Sequence, residues 1–250
     1  MYGHSIAVLA LCEVRGIVEV PRLAEALQQG ASFLCSARNP YGAWRYDCPP
    51  TGDNDTSVTA WALRALCAAR DAGARIDPDA LVGGRTVLDE FTDPATQRCG
   101  YDSIGSESSR VNPAPGVDPA LVNERFHPSW GEAMTAAAIT CRMLLGESRT
   151  GQAVAGGLKL VASQPPTWDP DAGKVDVYAW YYGTLAQRAG KDKELWPKWR
   201  ALTLDALLAG QVKDGGARGS WSPAQDCWGC FGGRVYSTSL ACLTLHELLR

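Results

Sequence analysis

DTSVTAWALRALCAARDAGARIDPDALVGGRTVLDEF, residues 55–91, carries the whole architecture in one stretch. Asp55-Thr56-Ser57 offers side-chain oxygens ahead of an apolar run, the usual chemistry of a helix start. Gly73 ends that run. Ala60-Trp61-Ala62-Leu63 leaves no polar face, so this helix is expected to be buried. Asp77-Pro78 then starts another helix, a cap followed by a first-turn proline.

The same punctuation extends outward. A first helix is expected over 5–15, stopped by Gly16, and a second over 21–38, opened by Pro21. A fifth opens with capping-box spacing at Ser129-Trp130-Gly131-Glu132 and ends at Gly146. A sixth covers 151–163, a seventh runs from near Asp176 to Gly190, an eighth covers 194–211, and a ninth runs from Tyr236 to the end. No run of alternating residues reads as a strand. Odd-numbered helices are apolar nearly all round, as in Ala7-Val8-Leu9-Ala10-Leu11 and Ala136-Ala137-Ala138-Ile139. Even-numbered ones carry a charged face, as at Arg22, Glu25, Gln28 and Gln29, or Lys198, Arg200 and Asp205. Buried helices alternating with amphipathic ones define an inner and an outer ring.

The stops at Gly16, Gly73, Gly146 and Gly190 recur about every fifty residues, the period of a helical-hairpin array. Inner-to-outer connections are short (17–20, 74–77, 147–150, 191–193) and outer-to-inner ones long (39–54, 92–128, 164–175, 212–235). In an antiparallel array the long linkers gather at one end, where a site is expected. The polar segment 102–128 reads as a lid or insertion in a single repeat domain over 1–250.

Composition narrows the function. The 24 basic and 27 acidic residues give a net charge of −3, which argues against nucleic acid as the main partner. With 46% hydrophobic residues the chain can bury a sizeable core, yet no apolar run reaches the ~18 residues of a membrane span. Met1-Tyr2-Gly3-His4 does not open a leader segment. Nine cysteines cannot all pair, so reduced thiols and a cytoplasmic setting are expected. The chain begins and stops inside helical patterns, as a piece of a longer protein would.

Four segments resemble the repeats of triterpene cyclases and protein prenyltransferase β-subunits. Phe33-Leu34-Cys35-Ser36-Ala37-Arg38-Asn39-Pro40-Tyr41-Gly42-Ala43-Trp44 is similar to their QW-type repeat without its glutamine. Gln211, Asp214-Gly215-Gly216 and Gly219-Ser220-Trp221 form a second copy with the glutamine present. Gly52 to Ala60 and Gly232 to Leu240 resemble inner-helix starts of that superfamily. The resemblance implies an α/α-toroid whose inner helices surround an apolar cavity for an isoprenoid or lipid-like ligand. Such toroids commonly have six hairpins. Four and a half are countable here, so an open barrel completed by a protein partner or by a second copy is a further expectation.

Class II cyclases protonate their substrate from an Asp-x-Asp-Asp-Thr motif. Asn54-Asp55-Thr56 falls on its last three positions, with Asn54 at the proton donor and Gly52 at the first position. An amide is not an acid. That degeneracy favours a non-catalytic ligand-binding relative; the alternative is an active cyclase or prenyltransferase relative with Asp53 or Asp55 as acid. Asp55 either caps the helix or, kept protonated by burial, donates a proton. Trp61, Trp130, Trp180 and Tyr236 are the expected cavity wall, able to stabilise a carbocation. No cofactor is required by this reading.

A third reading is a zinc-binding toroid. Prenyltransferases hold zinc with Asp, Cys and His, but Asp226-Cys227 lacks the Asp-x-Cys spacing and Ser237 stands at the histidine. A separate zinc site would start from Cys227 and Cys230 of a CxxC, with Cys48, Cys99, His4 and His127 at the same end. Cys12, Cys35, Cys67, Cys141 and Cys242 read as small core residues.

Overall fold

A computed structural model of the chain describes residues 1–18, 20–40, 42–50, 52–108, 120 and 124–250. Among them are nine α-helices and no strand: α1 (Tyr2–Arg15), α2 (Pro21–Ser36), α3 (Thr56–Asp71), α4 (Pro78–Phe91), α5 (Ala133–Leu144), α6 (Gln152–Ala162), α7 (Val177–Gly190), α8 (Leu195–Gly210) and α9 (Gly229–Leu249). A 3-10 turn covers Pro223–Gln225. No helix among the described residues is long and apolar enough to cross a membrane. Most of the polar insertion expected over 102–128 lies outside the described residues.

The chain divides into two compact units, which are taken separately. One comprises Met1–Ala95, Cys99–Ser106 and Cys141–Ser148; the other Thr96–Arg98, Glu107–Thr140 and Arg149–Arg250.

In the first unit α3 is the central rod, packed against α1, α2 and α4. Every residue from Thr56 to Leu63 is buried, as the absence of a polar face required. Asp55 caps its start, and Asp77 with Pro78 opens α4. The amphipathic α2 turns Leu27, Ala31 and Leu34 inward. The long linkers 37–55 and 92–106 meet at the start of α3: the Asp55 N–H donates to the Trp44 carbonyl at 3.1 Å and the Thr56 N–H to the Tyr101 carbonyl at 2.8 Å. The buried guanidinium of Arg142 holds the far end of α4 by donating to the Leu88 carbonyl (3.0 Å) and pairing with Glu147 (3.1 Å). A buried charge of this kind is tolerated because its donors are matched.

The second unit repeats the plan around α7, which packs against α6, α8 and α9. Val177 through Thr184 are buried without a break. Gly183 is where the Trp199 ring of α8 lies: a methyl group there would sit well inside contact distance of the indole. The ring is held by its Nε1–H donating to Thr184 Oγ1 at 3.1 Å, so it cannot swing aside freely. Gly183→Ala gains up to ~1 kcal/mol in helix propensity but overpacks a fixed ring at ~1–3 kcal/mol. A net loss of up to about 2 kcal/mol is expected from urea unfolding, and a raised midpoint would refute the packing argument.

One tether occurs in both units. Trp44 donates its Nε1–H to the Leu34 carbonyl near the end of α2, and Trp221 donates its own to the Leu207 carbonyl near the end of α8, each at 2.8 Å. Their main-chain N–H groups donate to Thr59 Oγ1 and Thr238 Oγ1, each at 3.3 Å. Both indoles are essentially inaccessible. The two motif copies thus clamp an outer helix to the next inner helix by the same four groups.

Several expectations need correction. α1 and α9 are not buried all round: Ile6, Val14, Phe231, Val235 and Leu243 are exposed, Val235 at 80%. α1 packs on α2 and α3, and α9 on α7, α8 and the 3-10 turn, so each has neighbours on part of its circumference only. α5 starts at Ala133 rather than Ser129, because Gly131 adopts φ 90° and breaks the turn that the capping box would have continued. α9 starts early, at Gly229, but is kinked at Gly233 (φ 64°). Of the cysteines expected in the core, Cys67 and Cys141 are buried, Cys12 and Cys35 half-buried, and Cys242 exposed.

Candidate functional site

Both units place carboxyl groups at the start of their central helix, for the same local reason. An aspartate is among the best side chains for the first free N–H groups of a helix, and the long linkers then cover it.

In the first unit Asp55 is fully buried. Its Oδ1 accepts from the Val58 N–H at 2.8 Å and from Ser57 Oγ–H at 2.6 Å. Its Oδ2 receives no hydrogen bond from the described residues. Burial pushes its pKa up, against the lowering effects of Ser57, Val58 and the Arg45 charge. Capping and a raised pKa therefore coexist: one oxygen takes both donors, and the proton of the neutral acid belongs on the other.

Phenols surround this carboxyl. Tyr2 OH lies 2.5 Å from Ser57 Oγ. Ser57 spends its only proton on Asp55, so Tyr2 donates to Ser57, and the order Tyr2 to Ser57 to Asp55 is fixed. The Tyr2 and Tyr46 rings are 5.9 Å apart, and the hydroxyls of Tyr46 and Tyr101 are hydrogen-bonded. Burial raises both of those phenols, Tyr101 further under the Asp55 charge. Asp53 lies differently. Its side chain is 73% exposed and pairs with Arg45 at 3.4 Å. Asn54, at the motif's donor position, accepts from Asn39 Nδ2 at 2.8 Å. Trp61 is buried in α3 with the Arg64 guanidinium 5.2 Å from its ring centre.

The other aromatic residues expected to line a cavity belong to the second unit. Trp180 is buried, edge-on to Trp168 at 5.9 Å. Trp130 is half-buried, with the His127 ring and the Lys174 ammonium each 6.0 Å away; Tyr236 is half-buried. Clefts of about 500 Å³ beside Arg38 and Asp79 and of about 700 Å³ beside Trp196 and Arg200 are lined by none of these four aromatics.

The second unit also gathers Asp176, Asp226 and Cys227, all buried, with their ligand-type atoms within 4.8 Å of one another. Asp176 caps α7 by accepting from the Ala179 N–H at 2.9 Å. Asp226 accepts from the Val177 N–H at 3.1 Å and, more distantly, from Ser237 Oγ at 3.5 Å. Cys227 is held by its N–H donating to the Val175 carbonyl at 3.0 Å. Burial, then the neighbouring Asp176 charge, push the Asp226 pKa up to about 8. Cys230, the other half of the CxxC, is exposed on the first turn of α9 and outside this group. Cys48 is exposed and Cys99 buried, both in the first unit. His4 is bonded to the Gly30 carbonyl at 2.9 Å, and His127 is exposed with its Nδ1 2.7 Å from Ser129 Oγ.

The phenols around Asp55 and the joining of Asp176 to Asp226 were not read from the sequence. The only sign in the residues was that Asp55, Asp176 and Asp226 all stand at linker-to-helix junctions. In comparisons with known proteins, no family model matches the chain, and neither a curated protein nor a solved structure does.

Proposed function

We propose that the chain is a helical-repeat protein of the terpenoid-cyclase and prenyltransferase type, which takes an isoprenoid or similarly apolar ligand and meets it with Asp55 as an acid. One observation carries the reading: a buried carboxyl with both donors on Oδ1 and an Oδ2 that no described residue satisfies. A neutral carboxylic acid presents its O–H from such an oxygen. Protonation of an isoprenoid double bond breaks that O–H bond, forms a C–H bond and leaves a carbocation beside the Tyr46 and Tyr101 rings. The Asp55 carboxylate left behind keeps the Val58 and Ser57 donors, and the Tyr2–Ser57 pair offers a path by which a proton returns. Asp53, exposed and ion-paired, has no part in the step.

Squalene and a prenyl diphosphate, incubated with the purified chain, test this. Turnover is expected in the wild type and in Asp53→Asn. It is expected to vanish in Asp55→Asn, which keeps the cap because asparagine accepts from the same N–H. Turnover that survives Asp55→Asn would remove Asp55 from the chemistry. No turnover at all, with squalene still bound equally by both variants, would leave a binding protein without catalysis.

A further inference from the structure

We propose that the chain associates head to tail with a second copy of itself, the outward face of α9 in one copy seated on the outward face of α1 in the next, independently of the Asp55 chemistry. The repeat supplies the register. Thr238 serves Trp221 as Thr59 serves Trp44, so Val235, Ser239, Cys242 and His246 of α9 hold the positions of Thr56, Ala60, Leu63 and Cys67 of α3. Those four residues of α3 are all buried. Leu63 lies against Gly84 of α4, and Cys141 Sγ is 3.5 Å from the Ala60 carbonyl, so neighbouring helices cover this side of α3. In α9 the same four positions are exposed, Val235 at 80%.

α1 presents the reciprocal side. Val8 lies against Gly30 as Leu63 lies against Gly84, which sets Ile6, Ala7, Ala10 and Val14 at the positions of Trp61, Ala62, Ala65 and Ala69. At about 3.6 residues per turn, Ala62, Ala65 and Ala69 fall on the side of α3 away from Ala60 and Leu63, and they are buried. Ile6, Ala7, Ala10 and Val14 are exposed. One helix therefore leaves open the face that an inner helix turns toward the following hairpin, and the other leaves open the face turned toward the preceding one. Apolar faces of this kind are partner-binding surfaces, and a second copy carries the one that matches each. The contact can be placed. Ile139 lies against Gly157 as Leu63 lies against Gly84, so Cys141 stands at the position of Ala65 and of Ala10. Carrying over the Ala60–Cys141 contact brings Ser239 against Ala10 of the partner subunit and Val235 against the partner subunit's Ile6. Charge agrees: Glu13 of the partner subunit, the acid of the α1 face, then lies within one turn of His246, the basic residue of the α9 face. Because two different faces meet, the contact is heterologous and repeats until a ring closes or a chain extends.

Sedimentation equilibrium of the full chain tests this. Between about 1 and 200 µM the wild-type mass is expected to rise above that of one chain. Val235→Asp and Ile6→Asp each spoil one face. Both positions are exposed, so both variants are expected to keep the wild-type circular dichroism and urea midpoint and to stay single chains over the same range. An equal mixture of the two variants is expected to form dimers and nothing larger, because each brings the intact face that the other lacks. Should either aspartate variant fail to fold, the charge pair decides: Glu13→Arg is expected to weaken association about threefold, and adding His246→Glu in the same chain to restore it. A wild type that remains one chain throughout overturns the proposal. So does Ile6→Asp or Val235→Asp that still self-associates alone, which means like faces pair, or a mixture that yields no dimer.

Discussion

Replacing Trp221 by alanine is expected to cost about 3–5 kcal/mol, and Trp44→Ala a similar amount. Both rings are wholly inaccessible, so truncation removes the transfer energy of an indole and leaves a cavity that rigid helices cannot close. The hydrogen bond adds a second cost. The Nε1–H of Trp221 serves the Leu207 carbonyl, which a helix end leaves without an intrahelical donor. Trp221→Phe keeps most of the volume and strands that carbonyl, a loss of ~1–3 kcal/mol. The order wild type, Phe, Ala should therefore appear as falling urea midpoints at constant m-value. If Phe matched the wild type, the tether would be ornamental and the ring mere filler.

Stability is expected to fall as pH rises from about 4 to about 8, and Asp226→Asn to remove most of that fall. The sign follows from the raised pKa of Asp226, about 8 against an ordinary 3.8. Below pH 4 the folded and unfolded chains both hold this proton, and the contribution is fully present. Between the two values the unfolded chain has released it and the folded chain has not, so each step up in pH favours unfolding. Above 8 the loss levels off. The wide gap between the two values makes this a large effect for a single carboxyl group. Asp55, raised in the same direction, adds to it. Thermal midpoints from pH 4.5 to 9 check the prediction; midpoints that climb through this range, or an equal slope in Asp226→Asn, contradict it.

How far the residues alone carried this picture depends on whether the information is local. α3 and α7 were readable as buried because their helical surfaces have no polar side, and Asp55 as a cap because its role involves Val58 three residues on. The exposure of α1 and α9 was not readable. Periodicity reports that a helix is apolar, not how many neighbours it has. Asp176 and Asp226 lie 50 residues apart, and Tyr2, Tyr46 and Asp55 come from three separate segments, so only tertiary packing brings either group together. The Trp motifs sat between these cases. Their copies were visible, but Thr59 and Thr238 as the acceptors that close them were not.

The Trp44 and Trp221 tethers also bear on how the chain reaches this state. Their partners lie 10 and 15 residues away in one copy, 14 and 17 in the other. Closing loops of this size takes well under a microsecond and costs about 1 kcal/mol less chain entropy than joining Asp176 to Asp226. Each tether can therefore form early, giving the polypeptide two starting points for collapse. Mutations at Trp44 and Trp221 should then slow refolding, whereas those at the later-assembled Asp226 should chiefly change the rate of unfolding.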